Sequence, residues 1–153
     1  MDFWDDEDKL GEEEFEEERN KEKDRVNGLP IVKKAESLMR TILAFNASVE
    51  DNEEALELKR SLLSDISAIN AKIRGAEAGE MYFLKMEKAV LVKIHAVSIR
   101  EAMHAFDMFG FGNPEYLELI RTEIEEFRMI FIDWVASFDR TKGFGEDEWG
   151  LFN

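Results

Sequence analysis

Cysteine is absent from this chain, which excludes disulfides, thiolate chemistry, and zinc or iron–sulfur sites built on sulfur ligands. No uncharged apolar run approaches the ~18 residues that a membrane-spanning helix needs. Residues 1–9 are acidic, the reverse of the basic start of a signal peptide. A soluble, cytoplasmic protein with no membrane association is therefore expected. Catalytic fingerprints are missing too. There is no P-loop, no dinucleotide-binding glycine pattern and no G-x-S-x-G context, so nucleotide and nucleophilic chemistry find no support. Basic residues are outnumbered, 20 against 35 acidic, for a net charge of −15. Such a field repels phosphate backbones and argues against non-specific nucleic-acid binding.

The charge is unevenly spread. Residues 1–28 hold 13 acidic and 5 basic side chains, residues 29–138 hold 18 and 13, and residues 139–153 hold 4 and 2. The two ends are thus strongly acidic and the middle only mildly so. From Glu12 to Asp24 almost nothing is apolar, so the segment cannot bury enough surface to offset its ordering entropy. It reads as disordered or as a solvated helical extension. Three regions follow: an acidic N-terminal tail over 1–28, a helical core over 29–138, and an acidic-aromatic tail over 139–153.

Within the core, apolar residues recur at three- and four-residue steps, the mark of helices with one buried face. The first stripe is Ile31, Ala35, Leu38, Ile42 and Phe45, opening at Pro30, where proline suits a first helical position. The second is Ala55, Leu56, Leu62, Leu63, Ile66, Ile69 and Ile73, after the acidic start Glu50 to Glu53. A third helix spans about Glu80 to Phe109 and stops at Gly110. The fourth starts at the cap signal Asn113-Pro114-Glu115 and carries Leu117, Ile120, Ile124, Phe127, Phe131, Trp134 and Phe138. No segment alternates with period two. The fold class expected is all-α, an up–down four-helix bundle with acidic, flexible N- and C-terminal tails.

Two faces are more apolar than a lone bundle requires. Between Met81 and Phe109, 19 of 29 residues are apolar, and Lys85, Lys93, Arg100 and Asp107 mark the wet side. From Met129 to Phe138 only Asp133 and Ser137 are polar. A helix apolar nearly all round is either buried or in an interface. Self-association is expected through Val90, Ile94, Val97, Met108, Ile130, Phe131, Trp134 and Phe138.

Metal chemistry has one candidate, the E-x-x-H pair Glu101 and His104, whose spacing puts both on one helical face. The other histidine, His95, stands nine residues earlier, about 180° around the helix, and cannot share the site. Glu101 and His104 therefore read as surface residues, with metal binding as the lesser alternative. His95 reads as a hydrogen-bonded core or interface histidine, and Ser64, Ser67 and Ser98 as hydroxyls bonded back to their own helix. No cofactor is expected.

The ends resemble each other: Phe3 and Trp4, and Trp149, Leu151 and Phe152, are large apolar side chains embedded in acids. Segments of this kind dock into a partner's apolar groove with a basic rim, or fold back onto their own protein or a sister subunit.

Residues Ala68-Ile69-Asn70-Ala71-Lys72-Ile73-Arg74-Gly75-Ala76 are similar to a signature of roughly S-I-x-A-N-I-A-E-G, keeping Ile69, Ala71 and Ile73. Phe83-Leu84 with Ala89, Phe109-Gly110-Phe111 and Glu115-Tyr116-Leu117 extend the likeness over 29–138. The region resembles the four-helix-bundle proteins encoded in intervening sequences of bacterial 23S ribosomal RNA genes, a group that includes the accessory variability proteins of diversity-generating retroelements. The signature's serine, asparagine and glutamate are missing here, and its glycine is displaced by one. The resemblance implies an up–down bundle assembled into a ring-like homo-oligomer, commonly a pentamer, without enzymatic activity. For some relatives it also implies binding to nucleic acid or to a nucleic-acid enzyme. The expected function is a self-associating scaffold or adaptor for a protein partner, with a nucleic-acid-associated accessory or a carboxylate–histidine metal bundle as alternatives.

Overall fold

The computed structural model describes residues 3–143 and 147–151, with side chains from Asp8 onward. Five helices form: α1 (Phe3–Asn27), α2 (Pro30–Ser48), α3 (Glu53–Glu77), α4 (Tyr82–Phe109) and α5 (Pro114–Ala136). Among the described residues there is no strand.

The expectation of four helices between two flexible tails is corrected at the N-terminus, where residues 3–27 are helical. Glutamate, lysine, arginine and leucine all favour helix locally, and no proline interrupts them. The Glu22–Arg25 pair at 2.6 Å adds a contact one turn apart. Burial contributes almost nothing: of the described α1 side chains only Val26 leaves the solvent, to rest against the core. Among the described residues of the C-terminal segment there is no helix. They make tight turns, in which Thr141 N–H donates to Asp139 at 2.9 Å.

The other four helices enclose one core. Each packs against two others: α2 on α3 and α5, α4 on α3 and α5. Their apolar stripes meet at Leu38, Ile42 and Phe45 from α2, Ile66 and Ile69 from α3, Ile99 and Phe106 from α4, and Ile120 and Phe127 from α5. Phe45 meets Phe106 edge to face with ring centroids 4.9 Å apart, a geometry that aromatic quadrupoles favour.

The connections follow local rules. Asn52 caps α3 by accepting from Ala55 N–H, and Asn113 caps α5 by accepting from Glu115 N–H, both at 2.9 Å. Between α4 and α5 the chain turns through Gly110 (φ 70°) and Gly112 (φ 80°), both left-handed. Gly112 also sits against the Phe45 ring, so closely that a Cβ there would lie 2.6 Å from a ring carbon. Short connections of this kind place sequential helices side by side, and here they leave one long surface of α4 and α5 facing outward.

Candidate interaction surface on α4 and α5

Helix α4 buries Ala89, Val92, Ile99, Met103 and Phe106 on its inner side. Its outer side mixes exposed polar residues (Lys93, Arg100, Glu101, His104) with exposed apolar ones. Val90 is 43% exposed and Ile94 55% exposed, and half-buried Val97 continues the stripe at i, i+4, i+7. Beyond Val97 the surface dips into a groove of about 280 Å³ between α4 and α5. Lys93, Ala96, Val97 and Arg100 line it from α4, and Ile124, Phe127, Arg128, Phe131 and Ile132 from α5. The floor is aliphatic and aromatic, and Ile132 on its far side is 48% exposed.

All three charged residues of the groove are cationic. Lys93 and Arg100 are exposed and make no ion pair among the described residues. Arg128 Nε donates to Glu125 Oε1 at 2.9 Å. That hydrogen bond holds the Glu125 carboxyl below the usual carboxylate range, with smaller help from the charges of Arg128 and Arg100. In a chain of net charge −15 the groove edge thus carries two cations without an ion pair among the described residues, Lys93 and Arg100, and a third, Arg128, that is offset by Glu125.

The expected association residues divide between two places. Val90, Ile94 and Met108 are exposed, and Val97, Ile130 and Phe131 are half-buried. Trp134 and Phe138 are corrected: at 6% and 7% exposure they belong to the chain's own core. Trp134 turns inward because Glu77 provides an acceptor for its indole N–H at 2.7 Å. Phe138 follows it, meeting Trp134 edge to face at 4.8 Å under the Lys85 ammonium. Lys85 therefore leaves the expected wet strip, whereas Lys93 and Arg100 line the groove. Ile132 and Arg128 were not singled out from sequence.

Of the tail residues, Trp149 and Leu151 are exposed, 84% and 68%. Phe3 and Trp4 lie in α1, with side chains outside those described, and Phe152 lies outside the described residues. Asp147 organises the segment as a turn, accepting from Trp149 N–H at 3.1 Å and from Leu151 N–H at 2.7 Å.

Titratable clusters elsewhere are internal. Asp65, buried between α3 and α4, lies 2.8 Å from His95 Nδ1 and accepts from the Ser98 hydroxyl at 2.7 Å. Both partners converge on the aspartate, and no hydrogen bond joins Ser98 to His95, so a nucleophile–base relay is not assembled. The expectation that Ser98 bonds back to its own helix is corrected by this contact. Buried Glu123 accepts from Ser37 and Thr41 and pairs with Lys34 at 3.5 Å. Each arrangement satisfies a buried carboxylate, as folding requires. Glu101 and His104 are both exposed, and no group of three or more metal-ligating side chains is gathered among the described residues.

No family model, curated protein or solved structure matches this chain. Among the described residues no helix is long and apolar enough to cross a membrane.

Proposed function

We propose that the chain is a non-enzymatic, self-associating helical scaffold or adaptor whose contact surface is the outer face of α4 and α5. One observation carries the reading. The stripe Val90, Ile94 and Val97 borders the groove floored by Phe131 and Ile132, with exposed Lys93 and Arg100 at the groove edge and exposed Glu101 ending the stripe one turn beyond Val97. Single exposed apolar residues are ordinary on protein surfaces, whereas a continuous apolar face with a polar rim marks a site of association.

The assembly we propose is a closed homo-oligomer of cytoplasmic up–down bundles. A ring such as the pentamer implied by the resemblance to the intervening-sequence family would set this face against a second, different surface of the neighbouring subunit. An acidic-aromatic end not engaged in the assembly remains available to a protein partner. Nucleic acid is the less favoured partner, because a net charge of −15 opposes a phosphate backbone.

Replacing Val90 and Ile94 together by glutamate tests the surface without touching the core. Light scattering on a sizing column should find several chains per particle for the parent and a single chain of 17.8 kDa for the variant. Equal masses for the two proteins would remove the α4–α5 face from the account.

A further inference from the structure

The groove between α4 and α5 and the exposed C-terminal turn are complementary in chemistry. The groove offers an apolar floor of Val97, Phe131 and Ile132 under the cations Lys93, Arg100 and Arg128. The turn offers the opposite: Trp149 and Leu151 stand in solvent beside Glu148, in a stretch whose sequence around them includes Glu146 and Asp147. We propose that the groove binds the C-terminal segment of a second copy of this chain, with the Trp149 indole and Leu151 on the floor and the segment's carboxylates facing Lys93 and Arg100. This rests on the self-association reading and adds to it a second contact, next to the Val90 and Ile94 stripe.

Size, shape and reach support this occupant. At about 280 Å³ the groove lies at the small end of ligand pockets, suited to one or two side chains rather than a whole helix. The two N–H groups accepted by Asp147, with Gly150 in the left-handed region at φ 73°, form the turn before docking, so little ordering entropy remains to oppose binding. A chain cannot easily fill its own groove in this way. Tyr82 N–H donates to Lys142 O at 2.9 Å, fixing the root of the segment at the start of α4. Lys93 and Val97 lie about 17 and 22 Å further along that helix at 1.5 Å per residue. Seven residues from Lys142 to Trp149 span at most about 24 Å fully extended. Reaching the chain's own groove would require the segment to straighten and give up the Asp147 turn. A neighbouring copy can present the turn intact, and two copies can do so reciprocally.

The test uses a fluorescent synthetic peptide of residues 144–153 titrated into the full-length Trp149→Ala protein, whose groove lacks a competing indole. Saturable binding is expected, weaker at high salt, and weaker by about tenfold or more when Arg100→Glu is added to the same protein. Circular dichroism on both variants checks that the helices persist; both altered residues are exposed. In parallel, Trp149→Ala alone should raise the concentration needed for association by about tenfold or more. Absence of peptide binding, or binding indifferent to Arg100→Glu, overturns the groove as the site. Association unchanged in Trp149→Ala also overturns the inference but leaves the self-association reading standing. A parent protein that is a single chain yet binds the peptide would overturn the assignment to a second copy, together with that reading.

Discussion

The indole N–H of Trp134 donates to the buried carboxylate of Glu77 at 2.7 Å, joining the last turns of α5 to the end of α3. The same carboxylate receives Arg25 from α1 at 3.0 Å, and Lys85 of α4 lies 3.7 Å away. Four helices thus converge on one side chain that is only 9% exposed. Glu77→Leu should cost about 3 kcal/mol, because the indole N–H and the Lys85 ammonium lose their partner in a largely dry site. Glu77→Gln keeps an acceptor for Trp134 and should cost nearer 1 kcal/mol. Urea unfolding of the two variants measures both. Equal, small losses would mean that the carboxylate does not organise this junction.

The turn between α4 and α5 contains a second asymmetry. Gly110 and Gly112 both have left-handed backbones, but only Gly112 faces a neighbour, the Phe45 ring. Gly110→Ala should therefore cost about 1 kcal/mol, the conformational penalty alone. Gly112→Ala adds overpacking against the aromatic core and should cost about 3 kcal/mol. Thermal or urea unfolding that ranks Gly110→Ala as the worse substitution would contradict this placement of the ring.

Helix α1 owes its form to local propensity and to one anchored end, so its stability should differ from that of the rest. Native-state hydrogen exchange should find the amides of residues 8–20 exchanging orders of magnitude faster than those of Ile66, Ile69 and Ile99. Protection of α1 equal to that of the core helices would show that it packs on something other than its own Arg25 and Val26 contacts.

At the root of the C-terminal segment, the Thr141 hydroxyl and then its N–H hold the Asp139 carboxyl below its ordinary range. A depressed folded value means that the turn is favoured above the ordinary carboxylate range and loosened as pH falls through the folded value. NMR titration should show the Thr141 amide shift following the Asp139 carboxyl at a midpoint below 3.8. A midpoint at or above that value would remove the hydrogen bonds from the turn.

Much of this architecture is legible in the sequence, for reasons that can be traced to particular residues. Pro30, the Asn113-Pro114 pair and Gly110 fix helix boundaries because each acts through its own backbone. The stripes of α2, α3 and α5 point inward because period and burial agree. Helix α1 escapes that method: its signal is propensity rather than periodicity, and a segment with no face to bury looks the same whether coiled or helical. Trp134 and Phe138 escape it for another reason. Their neighbourhood is so apolar that sequence cannot say which side turns inward. The deciding contact is with Glu77, 57 residues away. The groove shows the same limit. Lys93 and Arg100 are visible as a polar strip on α4, but their conjunction with Arg128 and Ile132 exists only once α5 lies alongside.

The central claim is that the outer face of α4 and α5 holds copies of this chain together. Absolute mass by light scattering, taken across a concentration series, tests it most directly. The account predicts a particle several times 17.8 kDa that falls to a single chain when Val90 and Ile94 are both replaced by glutamate. A parent protein that stays at 17.8 kDa at every concentration would contradict it.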